Sequence, residues 1–593
     1  MTPVAELVDG FQAAALESHY EVIKIDERSF GAGVTFVHRI HLYPGVELHW
    51  VDRLVTGDAV GHLDHFRVRE VQRARLVLEL PPNGAATRKS TGGIVTMIKH
   101  LDVGSVLAAT FIDGIEETPH VVGTLKLDDE RGVRVFIPFV QGSKEFESVE
   151  AWFDGQKPPP YLSVIGNNLR IGLFGCGFSG LTSNPPHGTA EGHIDAEEAV
   201  LKERDGEFSD PLRVKEVTSE IDGLYEWAQL KSVTTDHSAE GDGWSLTNTL
   251  AFTVKTAQGL VWRQGDATLS VSTTFNWSSG RGINLEEKAV LRSAFDLPRS
   301  FHEHLVEQRK FVTFLSLMFG TSLSFRGHRV RDDRYTTKTM GGQIMDYPSV
   351  ELISRQTIRE YSKPLPPKKE LDHPLVRMPH LQSESLSRWS DNYDQWERFI
   401  LPISGVYRVP TSMSFVENIA LNSAMSLEAL GAVLVGYVEG EEATYQEGKR
   451  TVEFATKMKD PTTPKNVSSR WKTVATDIYR GIKPLGLNWK QIAASEIGLA
   501  RAVANNYNTL KHPSKGSFPD PLHTRLLSDI SSGVVRLNAL KLVTDDEDLI
   551  TGAQSTHLFR RTLSIFADER LFISDNGEIV SLDPEAPTAD EGS

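Results

Sequence analysis

The sequence predicts an α+β multidomain protein in which an antiparallel β-rich N-terminal domain is followed by an all-α helical bundle. Three observations carry this reading. The chain has 593 residues, more than one hydrophobic core usually supports, so two or more domains are expected. Between about residues 105 and 290 apolar residues recur at every second position, the period of half-buried strands. At Pro298-Arg-Ser300 the period changes, and after about residue 385 it is helical throughout.

Residues 1–96 form a weakly patterned N-terminal extension. A short helix (Val4 to Leu16) and strand-like pieces at Val34 to Val37 and Arg75 to Leu80 precede a linker-like stretch, Pro81 to Gly93. Residues 97–300 are the β-rich domain. There Val133, Val135, Ile137 and Phe139 alternate with Arg134, Phe136 and Pro138, and Leu250, Phe252, Val254, Leu269, Val271 and Phe275 alternate with Ser, Thr and Lys. Turn sequences such as Asp128-Asp-Glu-Arg-Gly132 and Gly241-Asp-Gly243 keep the connections short, which favours an antiparallel sandwich or barrel over βαβ units.

Residues 301–384 hold a helix and a linker. Ser300-Phe-His-Glu303 has the form of a capping box ahead of Leu305, Val312, Leu315 and Phe319, and the Pro-rich, charged Tyr361 to Lys369 is the expected interdomain linker. Residues 385–570 read as the bundle. A second capping box, Ser414-Phe-Val-Glu417, opens an apolar helix, and further helices are expected near 466–480, 488–512, 521–541 and 555–567. Residues 571–593 end in an acidic tail, with Asp583 to Ser593 expected to be disordered.

Composition narrows the function. With 39% hydrophobic and 24% charged residues the chain is an ordinary globular protein, and a formal net charge of −16 argues against a surface coated with nucleic acid while leaving room for a local basic site. The single cysteine, Cys176, excludes an internal disulfide and a multi-thiolate zinc site, which fits a reducing cytoplasm. The N-terminus lacks the pattern of a secretory signal, no apolar run of about 18 residues is present, and no membrane span is expected. Gly172-Leu-Phe-Gly-Cys-Gly-Phe-Ser-Gly180 is Gly-rich but lacks Gly-Lys-Ser/Thr, so it reads as strand or turn rather than phosphate loop.

The segment with the most chemistry is the helix expected after Asn488. Ile492, Leu499, Val503 and Leu510 form a core stripe, while Arg501, Asn505, Asn508 and His512 fall at i, i+4, i+7 and i+11 on one polar line. His512 lies at the C-terminal end, where the helix dipole favours the imidazolium, a state suited to a general acid or a phosphate contact, and Lys511 adds a second cation. Residue types alone favour the plainer reading, a solvated face with His and Lys placed at the C-terminus for helix stability. His302 and His304 lack metal-ligand spacing on one helix face and are expected to be structural, and Arg377 and His380 are separated by Pro379 in a linker. Trp389, Trp396 and Trp471 are expected in the bundle core rather than on a base-stacking platform.

The sequence resembles the ApeA-like proteins, which pair a β-rich N-terminal domain with a C-terminal HEPN helical bundle. Val121-Val-Gly-Thr-Leu-Lys-Leu127 with Val133 to Phe139 is similar to the family's opening hairpin, and Phe301 to Phe319 to its helix after the β domain. Asn505-Asn-Tyr-Asn508-Thr-Leu-Lys-His512 is similar to the HEPN motif Arg-Asn-x-x-x-His. The resemblance implies a metal-independent endoribonuclease without cofactor, acting as a toxin in antiphage defence by abortive infection. It further implies a homodimer formed through the bundle, an RNA substrate (tRNA or another cellular RNA) and a phage-derived trigger.

Carried over, His512 is the candidate acid–base residue on the ribose 2′-hydroxyl or the leaving 5′-oxygen, Asn508 orients it or the phosphate, Lys511 assists, and Arg501 and Asn505 face RNA. The sequence departs from the motif at its first position, where Tyr507 replaces arginine. Arg501 lies roughly 16 Å from His512 along a helix axis and cannot share a phosphate with it. The alternative is a catalytically inactive HEPN adaptor that binds RNA or a protein partner. A carbohydrate-active β-sandwich would need paired carboxylates, and no pattern picks them out.

Overall fold

The computed structural model describes residues 101–582 except 116–119, 167–168, 203–210, 241–246, 280–282, 340–341, 409–414, 435–470, 513–516 and 555–557, together with the backbone of four strands within 21–77. These four are β1 (Glu21–Asp26), β2 (Thr35–Leu42), β3 (Val46–Arg53) and β4 (Arg75–Val77). The helix expected at Val4 to Leu16, the linker at 81–93 and the acidic tail at 583–593 lie outside the described residues.

The next strands are β5 (Val106–Ile112), β6 (Val121–Asp128), β7 (Gly132–Val140), β8 (Tyr161–Gly166), β9 (Leu169–Phe174), β10 (Gly177–Asn184), β11 (Thr189–Asp195), β12 (Glu198–Val200) and β13 (Arg213–Ile221). They are followed by β14 (Val233–Glu240), β15 (Thr247–Val254), β16 (Gln258–Gln264), β17 (Ala267–Ser279), β18 (Ile283–Ser300), β19 (Phe325–Arg331), β20 (Thr337–Lys338), β21 (Ile344–Asp346) and β22 (Val350–Ser354). Fourteen of them join in one sheet of order β10-β11-β7-β6-β5-β8-β9-β12-β22-β19-β13-β18-β17-β16. Every pair in it is antiparallel. β1, β15 and β14 form a smaller sheet, as do β2, β3 and β4. The expected period-two burial is present in β7, where Val133, Val135, Ile137 and Phe139 are buried, and in β17 at Leu269 and Val271. Val254 is buried as well, whereas the side chains of Leu250 and Phe252 lie outside the described residues.

The sheet has two cores. One gathers Phe111, Leu125, Val135 and Ile194 under α1 (Glu147–Asp154), whose Trp152 and Phe153 are buried in it. The Phe139 and Phe153 rings stack at 5.5 Å, and an added Cβ at Gly192 would collide with Phe153, so only glycine fits there. The second core runs from α2 (Leu224–Ala228), β13 and β18 through α3 (Phe301–Phe319) into the C-terminal helices without a break.

α3 starts at the capping box read from the sequence: Ser300 Oγ accepts from Glu303 N, and Glu303 Oε2 accepts from Ser300 N at 2.9 Å. Beyond it, the expected linker is pinned between α4 (Ile358–Tyr361) and α5 (Lys368–Leu371). Arg326 Nη1 donates to the carbonyls of Glu360, Tyr361 and Lys363, and Arg326 also clamps Asp222 through Nε and Nη2 at 2.7 and 2.6 Å. A guanidinium supplies five donors in a rigid fork, enough to replace the intrasegment hydrogen bonds that prolines forbid.

The C-terminal helices are α6 (Ser383–Asp391), α7 (Tyr393–Arg408), α8 (Val416–Val433), α9 (Trp471–Ile482), α10 (Glu496–Lys511), α11 (Pro521–Val543), α12 (Glu547–Gln554) and α13 (Arg560–Asp568), followed by the hairpin β23 (Leu571–Ile573) and β24 (Ile579–Ser581). Three helix starts differ from the sequence reading, α13 among them, which begins at Arg560 rather than near 555. α8 begins at Val416 with Phe415 at its N-cap and no side-chain cap, and Ser414 lies outside the described residues. α10 begins at Glu496 rather than after Asn488, capped by Ser495. The backbone around Ile492 to Ala494 instead bonds to Ile573, which takes it out of the helix. Trp389 and Trp396 are buried in the core as expected, while the side chain of Trp471 is outside the described residues. α8 and α9 approach so closely at Gly431 that a Cβ would meet the Asp477 carbonyl. Among the described residues, no helix is long and apolar enough to cross a membrane.

Candidate functional site

The C-terminal end of α10 presents the residues singled out from sequence, and it sorts them into two faces. Asn506 and Tyr507 point into the bundle. Asn506 Oδ1 accepts from Thr524 Oγ1 of α11 at 3.0 Å, and Tyr507 is 3% exposed. The Tyr507 hydroxyl receives the Lys511 ammonium at 3.3 Å, and the same ammonium sits 5.2 Å from the Tyr507 ring centroid. Burial, followed by the Glu428 carboxylate on α8, pushes the phenol above its usual value, so it stays neutral.

Asn505, Asn508 and His512 lie on the other face, half-buried. His512 is the C-cap of α10, its backbone N–H donating to the Asn508 carbonyl at 3.1 Å. The side chains of Asn505, Asn508 and His512 have no hydrogen-bond partner among the described residues, which leaves an amide, an amide and an imidazole free in one row beside the exposed Lys511. Such a row can exchange a proton through His512, orient an oxyanion through Asn508 and supply one nearby positive charge.

Arg501 does not join it. It is 6% exposed, its Nη1 donates to the Asp575 carbonyl at 2.7 Å, and Gly577 of the β23–β24 hairpin packs directly on its Cβ. The expectation that Arg501 faces RNA on a continuous polar stripe is therefore corrected: the hairpin covers the first member, and the free row starts at Asn505. Arg501 secures the hairpin against α10, which accounts for a buried arginine in structural terms.

A second set of polar groups escaped the sequence reading. Between α3 and the sheet, hydrogen bonds run from the Val214 carbonyl through His304, Ser293, Gln308, Ser219 and His328 to Thr357. The links fix the direction of each donor. His304 Nε2 donates to the Val214 carbonyl, so its Nδ1 accepts from Ser293, which accepts from Gln308 Nε2; Ser219 donates to Gln308 Oε1 and accepts from His328 Nδ1, whose Nε2 accepts from Thr357. Burial pushes His304 down to about 4 and His328 down to about 3, holding both imidazoles neutral. The expectation that His304 is structural is met.

On the opposite face of the same strands lies a cavity of about 780 Å³. Register places Arg292, Thr218, Arg329 and Glu351 in one row across β18, β13, β19 and β22. Lys288 pairs with Glu220 at 2.9 Å and Arg292 with Glu216, whereas the half-buried Arg329 has no side-chain partner among the described residues. The polar alternation of these strands was readable, but the register that aligns their charges was not.

Residues 110–389, from β5 into α6, match the family model described as ApeA N-terminal domain 1. No curated protein and no solved structure matches the chain.

Proposed function

We propose, from the similarity of residues 110–389 to ApeA N-terminal domain 1, that this is a cytoplasmic antiphage defence protein whose C-terminal helices form a HEPN-type, metal-independent endoribonuclease. In this reading RNA supplies its own nucleophile. His512 moves the proton between the 2′-hydroxyl and the leaving 5′-oxygen, Asn508 holds the imidazole or the phosphate, and Lys511 offsets charge on the phosphorane-like transition state. Two bundles pair so that two such rows face one RNA strand, and a phage-derived trigger acting on the sheet region releases a toxin that cuts tRNA or another cellular RNA. The observation that carries the reading is the row Asn505, Asn508 and His512 at the C-terminus of α10, without hydrogen-bond partners among the described residues, in a chain with this N-terminal match.

The test is growth arrest and total-RNA integrity in cells expressing wild type, His512→Ala or Asn508→Ala, with and without phage. RNA cutting that is lost in His512→Ala at equal protein level supports the nuclease. Equal behaviour of wild type and His512→Ala sinks it.

A second reading, a non-catalytic HEPN adaptor that binds RNA or a protein partner, is favoured by one observation: neither Tyr507 nor Arg501 is placed to clamp a phosphate, because both side chains are buried in contacts of their own.

A further inference from the structure

At the edge of the first core, remote in sequence from α10, five chain segments meet around a cavity of about 680 Å³. They are the β6–β7 turn with Arg131, the start of β10 with Phe178 and Ser179, the end of β11 with Asp195, the residue Glu197 that follows, and the stretch from β22 into α4 with Arg355 and Arg359. Two of the carboxylates are already neutralised. Asp195, 5% exposed, accepts from Arg134 Nε at 3.1 Å, and Glu197 accepts from Arg355 Nη1 at 3.1 Å.

That leaves two guanidinium groups against the single carboxylate of Glu130. Arg131 only reaches 4.0 Å from Asp195 Oδ2, and Arg359 spends Nε on the Glu130 carbonyl oxygen at 3.3 Å. Each guanidinium has five N–H donors, so most of those on Arg131 and Arg359 are unused among the described residues.

We propose that this cavity binds a small phosphorylated ligand of nucleotide size. Arg131 and Arg359 hold the phosphate with their forked donors, and the half-buried Phe178 offers an apolar ring surface to the base. The volume falls in the range of small-molecule sites and is larger than a bare anion needs. The site is independent of the nuclease reading, since no residue of α10 takes part.

Calorimetric titration of the full chain with ATP, GTP, CTP and UTP, with adenosine as uncharged control, tests it. The expected result is saturable binding of at least one nucleotide, none of adenosine, and an affinity about tenfold or more lower in both Arg131→Gln and Arg359→Gln. Both arginines are exposed, so their replacement leaves the core intact. No binding of any nucleotide at millimolar concentration, or affinities unchanged in the arginine variants, overturns the proposal.

Discussion

Position 507 shows how much one side chain decides. Under the proposed HEPN reading tyrosine stands there in place of the motif arginine; in the structure it is a buried phenol set between Glu428 and Lys511. An arginine at the same position would point at Glu428 rather than at a phosphate, so Tyr507→Arg is expected to give no gain in RNA cleavage, measured on total RNA after induction. Tyr507→Phe removes the oxygen that Lys511 meets and is expected to cost about 1 kcal/mol in urea unfolding. Asn505, Asn508 and His512 were legible because helical spacing aligns them whatever surrounds the helix. Arg501 was not, because its burial is set by a hairpin more than 70 residues further on, which no periodicity within α10 can report.

At the scale of the element, local signals held where the partners are local. The Ser300–Glu303 box forms in full, and Ser300→Ala is expected to lower stability by about 1 kcal/mol, read from the urea midpoint. The similar box at Ser414 falls on a residue outside the described ones, and the stretch expected at the head of α10 is held outside it by backbone bonds of Ile492 and Ala494 to Ile573 of β23. The Pro-rich stretch after Tyr361 read as a linker because composition records stiffness and charge but not Arg326, which supplies its bonds from a strand over 30 residues earlier. Arg326→Ala is accordingly expected to open this stretch to protease, seen as a new cleavage site between residues 360 and 370 in limited digestion.

Over the whole molecule, antiparallel strands and C-terminal helices were legible from their periods, whereas a single core continuous from β13 through α3 to α11 was not. Strand register and helix packing are long-range facts. The buried histidines make a whole-molecule prediction. His304 and His328 have folded values of about 4 and 3, below the 6.5 of an exposed imidazole, so between these limits the unfolded chain binds more protons than the folded one. Their contribution is intact above pH 6.5 and is lost as pH falls through that window, and His304 alone accounts for roughly 3 kcal/mol by pH 4. The urea midpoint at pH 5 is expected to fall below that at pH 7, with the difference reduced in His304→Gln.

The four residues of α4 are too few to be stable as a helix in isolation, yet the contacts of α4 reach far beyond it. Arg359 meets the carbonyl of Glu130 in the β6–β7 turn, Glu360 receives Arg309 of α3 at 2.8 Å, and the α4 carbonyls are gripped by Arg326. In mechanical terms α4 is a strut rather than a hinge. A load applied at the rim of the first core passes through two polar contacts to α3, and α3 bears on the C-terminal helices through Arg536, which donates to the Leu317 and Met318 carbonyls at 2.6 and 2.8 Å. Force entering at one end of the sheet thus has a stiff path to the helices at the other.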